Sequence, residues 1–302
     1  MSALTNIGLP VALGIIMFGL GLSLTVGDFA RVLKQPKAVM VALLCQLILL
    51  PAICFGLVLA FQLPPVLAVG MLMLAASPGG TTANLYSDLF RGDVALNISL
   101  TAVNSVISVI TLPLITNFAI NYFDPFDDEL GLQWAKVLEV FAIVLVPVAI
   151  GMVVRRFWPA FARGMDKPVR IASVIILVVV IAGAVASNWD LLVENFARLS
   201  LITIVFCLIS LTVGYFVPRL LKVGKRQAIA ASFEIGIHNA TLAIVIAQTV
   251  LNSVELSRPA AVYGVLMFFI AFGFGFLIRE RRGAGDEGSE PAAHTAQPAA
   301  SV

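Results

Sequence analysis

The chain has 302 residues, 60% of them hydrophobic and 12% charged, with a mean hydropathy of +1.02. A soluble domain carries roughly 45–50% apolar and ~25% charged residues, so this composition excludes an ordinary water-soluble fold. The net charge of only +2 gives no electrostatic support to nucleic-acid binding, and Cys45, Cys54 and Cys207 sit inside apolar runs without a CxxC or Cys/His cluster, which argues against a disulfide framework or a zinc site.

Nine apolar segments of roughly the length that crosses ~30 Å of hydrocarbon are predicted near 7–26, 38–61, 65–84, 94–120, 137–154, 171–187, 199–218, 227–250 and 259–278. The first has neither a basic region before it nor a small-residue cleavage site after it, so it reads as a retained helix rather than a signal peptide. The third carries Ser77-Pro78-Gly79-Gly80-Thr81-Thr82-Ala83-Asn84. Proline removes an amide donor and glycine weakens a helix, so a break is expected there. The eighth carries Glu234-Ile235-Gly236-Ile237-His238-Asn239-Ala240-Thr241, with a carboxylate, a glycine, a histidine and an asparagine at mid-span. Non-helical backbone at membrane depth survives only when buried in protein or facing a water-filled cavity. Helices three and eight are five apart and so run in opposite directions, and paired breaks in two inverted halves are the sequence pointer to a transporter binding site.

Charge fixes the orientation. With the N-terminus outside, the inner loops hold 16 of the 19 basic residues and the outer side keeps Lys136, Arg198 and Arg258, together with the acidic cluster Asp124, Asp127, Asp128 and Glu129. Residues 1–280 are therefore expected to form one transmembrane domain of a multi-pass inner (plasma) membrane protein, with 281–302 as a cytoplasmic tail whose Ala, Pro, Gly and polar composition predicts disorder.

Glu234 is the central candidate. Of the 17 acidic residues it alone lies deep in an apolar run. A charge there costs at least ~2.5–3.5 kcal/mol, and no basic residue lies deep enough to pair with it. It is read either as a protonated carboxyl bonded to a neighbouring helix or, preferentially, as part of a cation site. Gln46, Asn84, Asn97 and Thr101 supply oxygen atoms of the kind hard cations take, and Asn97 and Thr101, four apart, share one helix face. Alone, each would read as an interhelical hydrogen-bonding residue; the breaks and Glu234 favour the ion site. His238, four residues from Glu234, is a candidate to donate, accept or titrate. Each break also starts a half-helix whose free amides suit an anion, with Thr81, Thr82 and Asn239 around those starts; the competing reading is that Gly79 and Gly80 only permit close packing.

The stretch SPGGTTANLYSDLFRGDVALNISLT (77–101), taken with FEIGIHNATLA (233–243), resembles the bile acid:sodium symporter family, and the likeness in organisation extends to about residue 280. The resemblance implies an all-α fold with a core domain holding both broken helices, a smaller panel domain, and alternating access between them. It implies two sodium sites, one from Asn84, Asn97, Thr101 and Glu234, the other from Gln46, Glu234, His238 and the carbonyls of Ile235 and Ile237. Thr81 and Asn239 would line the substrate pocket. Ala83 stands where members often have serine, and His238 where many have glutamine. The expectation is a sodium symporter of bile-acid-like or other small carboxylate solutes, needing no cofactor beyond sodium as coupling ion and meeting membrane lipid but no nucleic acid. The alternatives are a proton-coupled or uncoupled carrier of the same fold, a membrane enzyme using Glu234 and His238 as an acid–base pair, for which no nucleophile motif, metal cluster or nucleotide loop is present, and a channel.

Overall fold

The computed structural model describes residues 14–15, 17–19, 21–22, 27, 32–123, 134–162, 164–165, 168–169, 171–172, 175, 189–251 and 253–280. Within them the chain is helical and contains no strand. The segments are α1 (Pro36–Ala60), α2 (Pro65–Ala76), α3 (Thr81–Leu89), α4 (Val94–Phe123), α5 (Trp134–Phe157), α6 (Trp189–Leu220), α7 (Lys225–Gly236), α8 (Ala240–Val245) and α9 (Arg258–Ile278). These are labels for segments and not a count of spans, because α2/α3 and α7/α8 are the limbs of the two interrupted helices.

Each departure from a straight helix has a local cause. α1 widens into a π turn at Cys45–Leu49 just before Pro51, which has no amide to return to the preceding turn. α2 ends because Ser77 precedes Pro78. The proline ring disfavours the helical region for that residue, and Ser77 is extended, with φ −70° and ψ 145°. Pro113 lies inside α4, and a proline clashes with the carbonyl four residues back; the limbs 94–108 and 110–123 meet at a 52° bend. α6 begins well before the predicted 199 because Trp189–Arg198 forms helix although it is too polar to read as a span. Hydropathy measures immersion in lipid, not helix length.

The two halves repeat at an offset of 160 residues. α1 closes with Phe61 N–H to Leu57 O, Gln62 N–H to Leu59 O and Leu63 N–H to Val58 O; α6 closes with Leu221 to Val217, Lys222 to Arg219 and Val223 to Pro218. Gln62 and Lys222 both take left-handed φ, 49° and 59°, as this type of C-terminal cap requires. Twelve-residue helices follow in both cases, α2 from 65 and α7 from 225, and both lead to a break.

Burial places those broken helices at the centre. Every residue from Leu67 to Ala76 of α2, from Ala228 to Gly236 of α7 and from Ala240 to Val245 of α8 is buried. The surrounding helices turn apolar side chains outward at helical spacing: Val106, Ile110, Leu114 and Phe118 on α4, and Val265, Phe269, Phe272 and Phe276 on α9 are exposed. A helix apolar on both its inner and outer faces is unstable in water and suited to hydrocarbon. Among the described residues three helices are each long and apolar enough to cross a membrane, at 36–60, 199–220 and 255–278, and a fourth is if the limbs of α4 form one span. The broken pairs escape such a test because a 12-residue limb is only about 18 Å long. The predicted segments 7–26 and 171–187 fall largely outside the described residues, as do the acidic cluster at 124–129 and the tail.

Candidate functional site

The two breaks meet. Gly80 N–H donates to Ile237 O at 2.8 Å and Asn239 N–H donates to Pro78 O at 2.8 Å, so Gly79 and His238 form an antiparallel bridge in the middle of the bundle. Backbone released from helix in one half is satisfied by backbone released in the other, which is how irregular chain persists at this depth. The ends of α2 and α7 and the starts of α3 and α8 therefore converge on one small volume.

Glu234, 0% exposed, is the charge-bearing group in that volume. Its Oε2 accepts from Thr101 Oγ1 at 2.5 Å, its Oε1 accepts from Asn104 Nδ2 at 3.1 Å, and the Gly79 backbone lies close against it. Gly79 leaves the space that the Glu234 carboxylate occupies: an added Cβ would fall on that carboxylate and displace it. Asn97, Thr101 and Asn104 lie along one stripe of α4, and Asn97 Nδ2 donates to Ala83 O and Ala230 O, both at 3.2 Å. Asn97 thus ties α4 to α3 and α7.

Gln46, on the π turn of α1, donates through Nε2 to Ser77 O at 3.0 Å and lies 3.5 Å from Ala75 O. His238 shares the same acceptor, with Nδ1 3.2 Å from Ser77 O. Because that partner is a carbonyl, Nδ1 carries the proton and Nε2 presents a lone pair. The ring lies parallel to Phe206, with centroids 5.6 Å apart and an interplanar angle of 11°, and against Tyr263 at 5.4 Å.

The donor–acceptor balance around the crossing is one-sided. Gln46 Oε1, Asn84 Oδ1, Asn97 Oδ1, Asn104 Oδ1 and His238 Nε2 are all buried acceptors without a hydrogen-bond partner. Buried polar atoms are usually paired, and each unpaired one costs ~1–3 kcal/mol.

Of the sequence-predicted residues, Glu234 and Thr101 are bonded directly, Asn97, Gln46 and His238 gather around them, and Asn84 contributes a buried unpartnered oxygen without a side-chain bond to Glu234. The Ile237 carbonyl is engaged in the crossing bond to Gly80, and Ile235 is buried at the end of α7. Asn239 caps α8, its Oδ1 accepting from Leu242 N–H at 3.0 Å. Thr81 and Thr82 head α3, and the Thr81 side chain lies outside the described residues. Asn104 is absent from the residues predicted by sequence. Its signal is the i, i+4, i+7 spacing of 97, 101 and 104, which places all three on one helix face.

The profile of the Sodium Bile acid symporter family matches residues 10–195. The chain is 26% identical over 257 residues to "Uncharacterized sodium-dependent transporter YocS" of Bacillus subtilis, covering 85% of this chain and 78% of that protein. It is 25% identical over 298 residues to the "Ileal sodium/bile acid cotransporter" of Homo sapiens, covering 96% and 84%. It is 24% identical over 257 residues to "Probable sodium/metabolite cotransporter BASS2, chloroplastic" of Oryza sativa subsp. japonica, covering 85% of this chain but 60% of that protein, less than two thirds of its length. The chain belongs to the Sodium Bile acid symporter family.

Proposed function

We propose that this member of the Sodium Bile acid symporter family is a secondary active transporter that couples sodium entry to movement of a small organic anion across the inner (plasma) membrane, with its N-terminus outside and C-terminus cytoplasmic. The observation that supports the sodium assignment is the buried Glu234 carboxylate at the crossing, with unpartnered buried amide oxygens of Gln46, Asn84, Asn97 and Asn104 on the segments that carry or pack against the two breaks. Left unmet, these amide oxygens would cost roughly 4–12 kcal/mol, comparable to the whole stability of a typical domain at ~5–15 kcal/mol. A hard cation satisfies carboxylate, amide and carbonyl oxygens together. The names of the relatives, sodium-dependent or sodium-coupled in each case, agree with this reading.

In this reading Asn84, Asn97, Thr101 and Glu234 hold one sodium, and Gln46, Glu234, His238 and the carbonyls of Ile235 and Ile237 hold the other. Asn104 positions the Glu234 carboxylate. The anion meets the N-terminal amides of α3, with Thr81, Thr82 and Asn239 beside it, because a helix start favours negative charge. Sodium neutralises Glu234 next to that position and so favours the anion-bound state. By linkage the anion must tighten sodium by the same factor. A panel domain moving against the core would then alternate access.

The test is uptake by the purified chain in proteoliposomes, with carboxylates from pyruvate to bile acids presented under an imposed sodium or potassium gradient at constant pH. Uptake of at least one anion driven by sodium and accompanied by counterflow supports the proposal. Uptake that ignores sodium but follows an imposed proton gradient would select the proton-coupled alternative, and anion flux without counterflow would select a channel.

A further inference from the structure

We propose that the cleft between the ends of α3 and α9 holds the phosphate group of an anionic phospholipid of the inner leaflet. The cleft encloses about 430 Å³ and is lined by Leu89, Phe90, Arg91, Phe272, Phe276, Arg279 and Glu280. Arg91 takes left-handed φ, 62°, at the cap that closes α3. Arg279 follows the last turn of α9, its guanidinium carbon 5.4 Å from the Phe276 ring centroid. Lys225 Nζ donates to Arg279 O at 3.1 Å, which brings a third cation to the rim. Among the lining residues Arg91 and Arg279 stand against the single carboxylate of Glu280, so the lining is net positive. Among the described residues neither Arg91 nor Arg279 has an ion-pair partner.

The walls decide the occupant. Leu89, Phe272 and Phe276 are exposed, and Phe272 and Phe276 continue the outward apolar stripe of α9 that begins with Val265 and Phe269. The cleft therefore opens sideways along a surface suited to hydrocarbon, with its cations at the end that the charge distribution places on the cytoplasmic side. A soluble phosphate gains nothing from exposed phenylalanines, whereas a phospholipid fills both halves of the site. Basic pockets between spanning helices at this level are suited to anionic headgroups. The inference shares the membrane orientation of the proposed function but not its sodium or anion coupling, so a failed lipid preference leaves the transport reading standing and failed uptake leaves the lipid site standing.

The experiment offers the full chain equimolar phosphatidylglycerol and phosphatidylcholine in mixed micelles and reads the retained lipid by native mass spectrometry. The expected result is a phosphatidylglycerol preference that falls about fivefold for each of Arg91→Gln and Arg279→Gln, the factor corresponding to the ~1 kcal/mol of one basic residue near an anionic headgroup. Glu280→Gln should raise the preference, and this keeps the test decisive if an arginine variant does not fold; Lys34→Gln, an exposed inner-side control, should leave it unchanged. Equal retention of the two lipids, or a preference that survives both arginine substitutions, overturns the proposal. Displacement of the lipid by millimolar glycerol 3-phosphate would make the occupant a soluble anion and also overturns it. So would a preference seen only after removal of residues 283–302, because the acidic tail would then be the natural occupant.

Discussion

Glu234→Gln isolates the charge at the crossing. The substitution keeps the volume and one carbonyl oxygen but replaces the other oxygen with a donor. The wild-type carboxylate accepts from Thr101 Oγ1 and Asn104 Nδ2 on its two oxygens; the amide can keep both contacts, its oxygen accepting from Asn104 and its Nε2 donating to the Thr101 hydroxyl, which then donates to Asn97 O. No buried donor is orphaned and no charge is buried, so folding should survive. Cation binding should not. A sodium ion about 2.4 Å from a carboxylate oxygen gains, at an effective dielectric of about 20, on the order of 7 kcal/mol of Coulomb attraction, far more than a neutral amide ligand returns. The assay is the unfolding temperature of purified protein in sodium against potassium at equal ionic strength. The wild type should be stabilised selectively by sodium through mass action; Glu234→Gln should unfold cooperatively at a similar temperature in both salts. A sodium-selective shift of undiminished size in that variant would refute the ion-ligand role of Glu234.

Much of this site is legible in the amino-acid sequence. Pro78 next to Gly79 and Gly80 marks a helix break by local chemistry alone, and Glu234 in an apolar run marks a place where charge must be compensated. What escapes a one-dimensional reading is set by neighbours. That Asn239 caps α8 depends on where the second break resumes helix, and no proline marks the spot. That Ile237 O accepts from Gly80 depends on the two breaks meeting in antiparallel register. Asn104 escapes because hydropathy weighs a polar residue against its window and not by the face it shares with Asn97 and Thr101. The 160-residue repeat is likewise weak in residue identity: it lives in backbone capping bonds, which Gln62 and Lys222 make equally well.

Four further outcomes are expected. Gly79→Ala should abolish the sodium-selective thermal shift, since the new methyl falls on the Glu234 carboxyl, whereas Gly80→Ala, whose Cβ meets nothing nearer than Thr82 Oγ1 at 3.5 Å, should keep it. Gly214→Ala should destabilise by about 1–3 kcal/mol, because its Cβ would lie 2.7 Å from Ser232 Cα; Gly56→Ala, with open space around it, should be neutral or stabilising by up to ~1 kcal/mol in the same unfolding measurement. Cysteines introduced at Lys34 and Lys225 should react with impermeant maleimide only from the cytoplasmic side and one at Asp127 only from outside; labelling of Lys225→Cys in intact cells would invert the proposed topology. The last outcome concerns His238. Its Nδ1–H serves Ser77 O while Nε2 offers a buried lone pair with no partner, a donor-plus-acceptor pattern that glutamine reproduces with its amide and leucine does not. His238→Gln should therefore preserve or strengthen the sodium-selective shift, since oxygen is the better ligand for a hard cation, and His238→Leu should reduce it. If leucine preserves the shift as well as glutamine does, His238 only packs between Phe206 and Tyr263, and the second sodium site loses its side-chain ligand at this position.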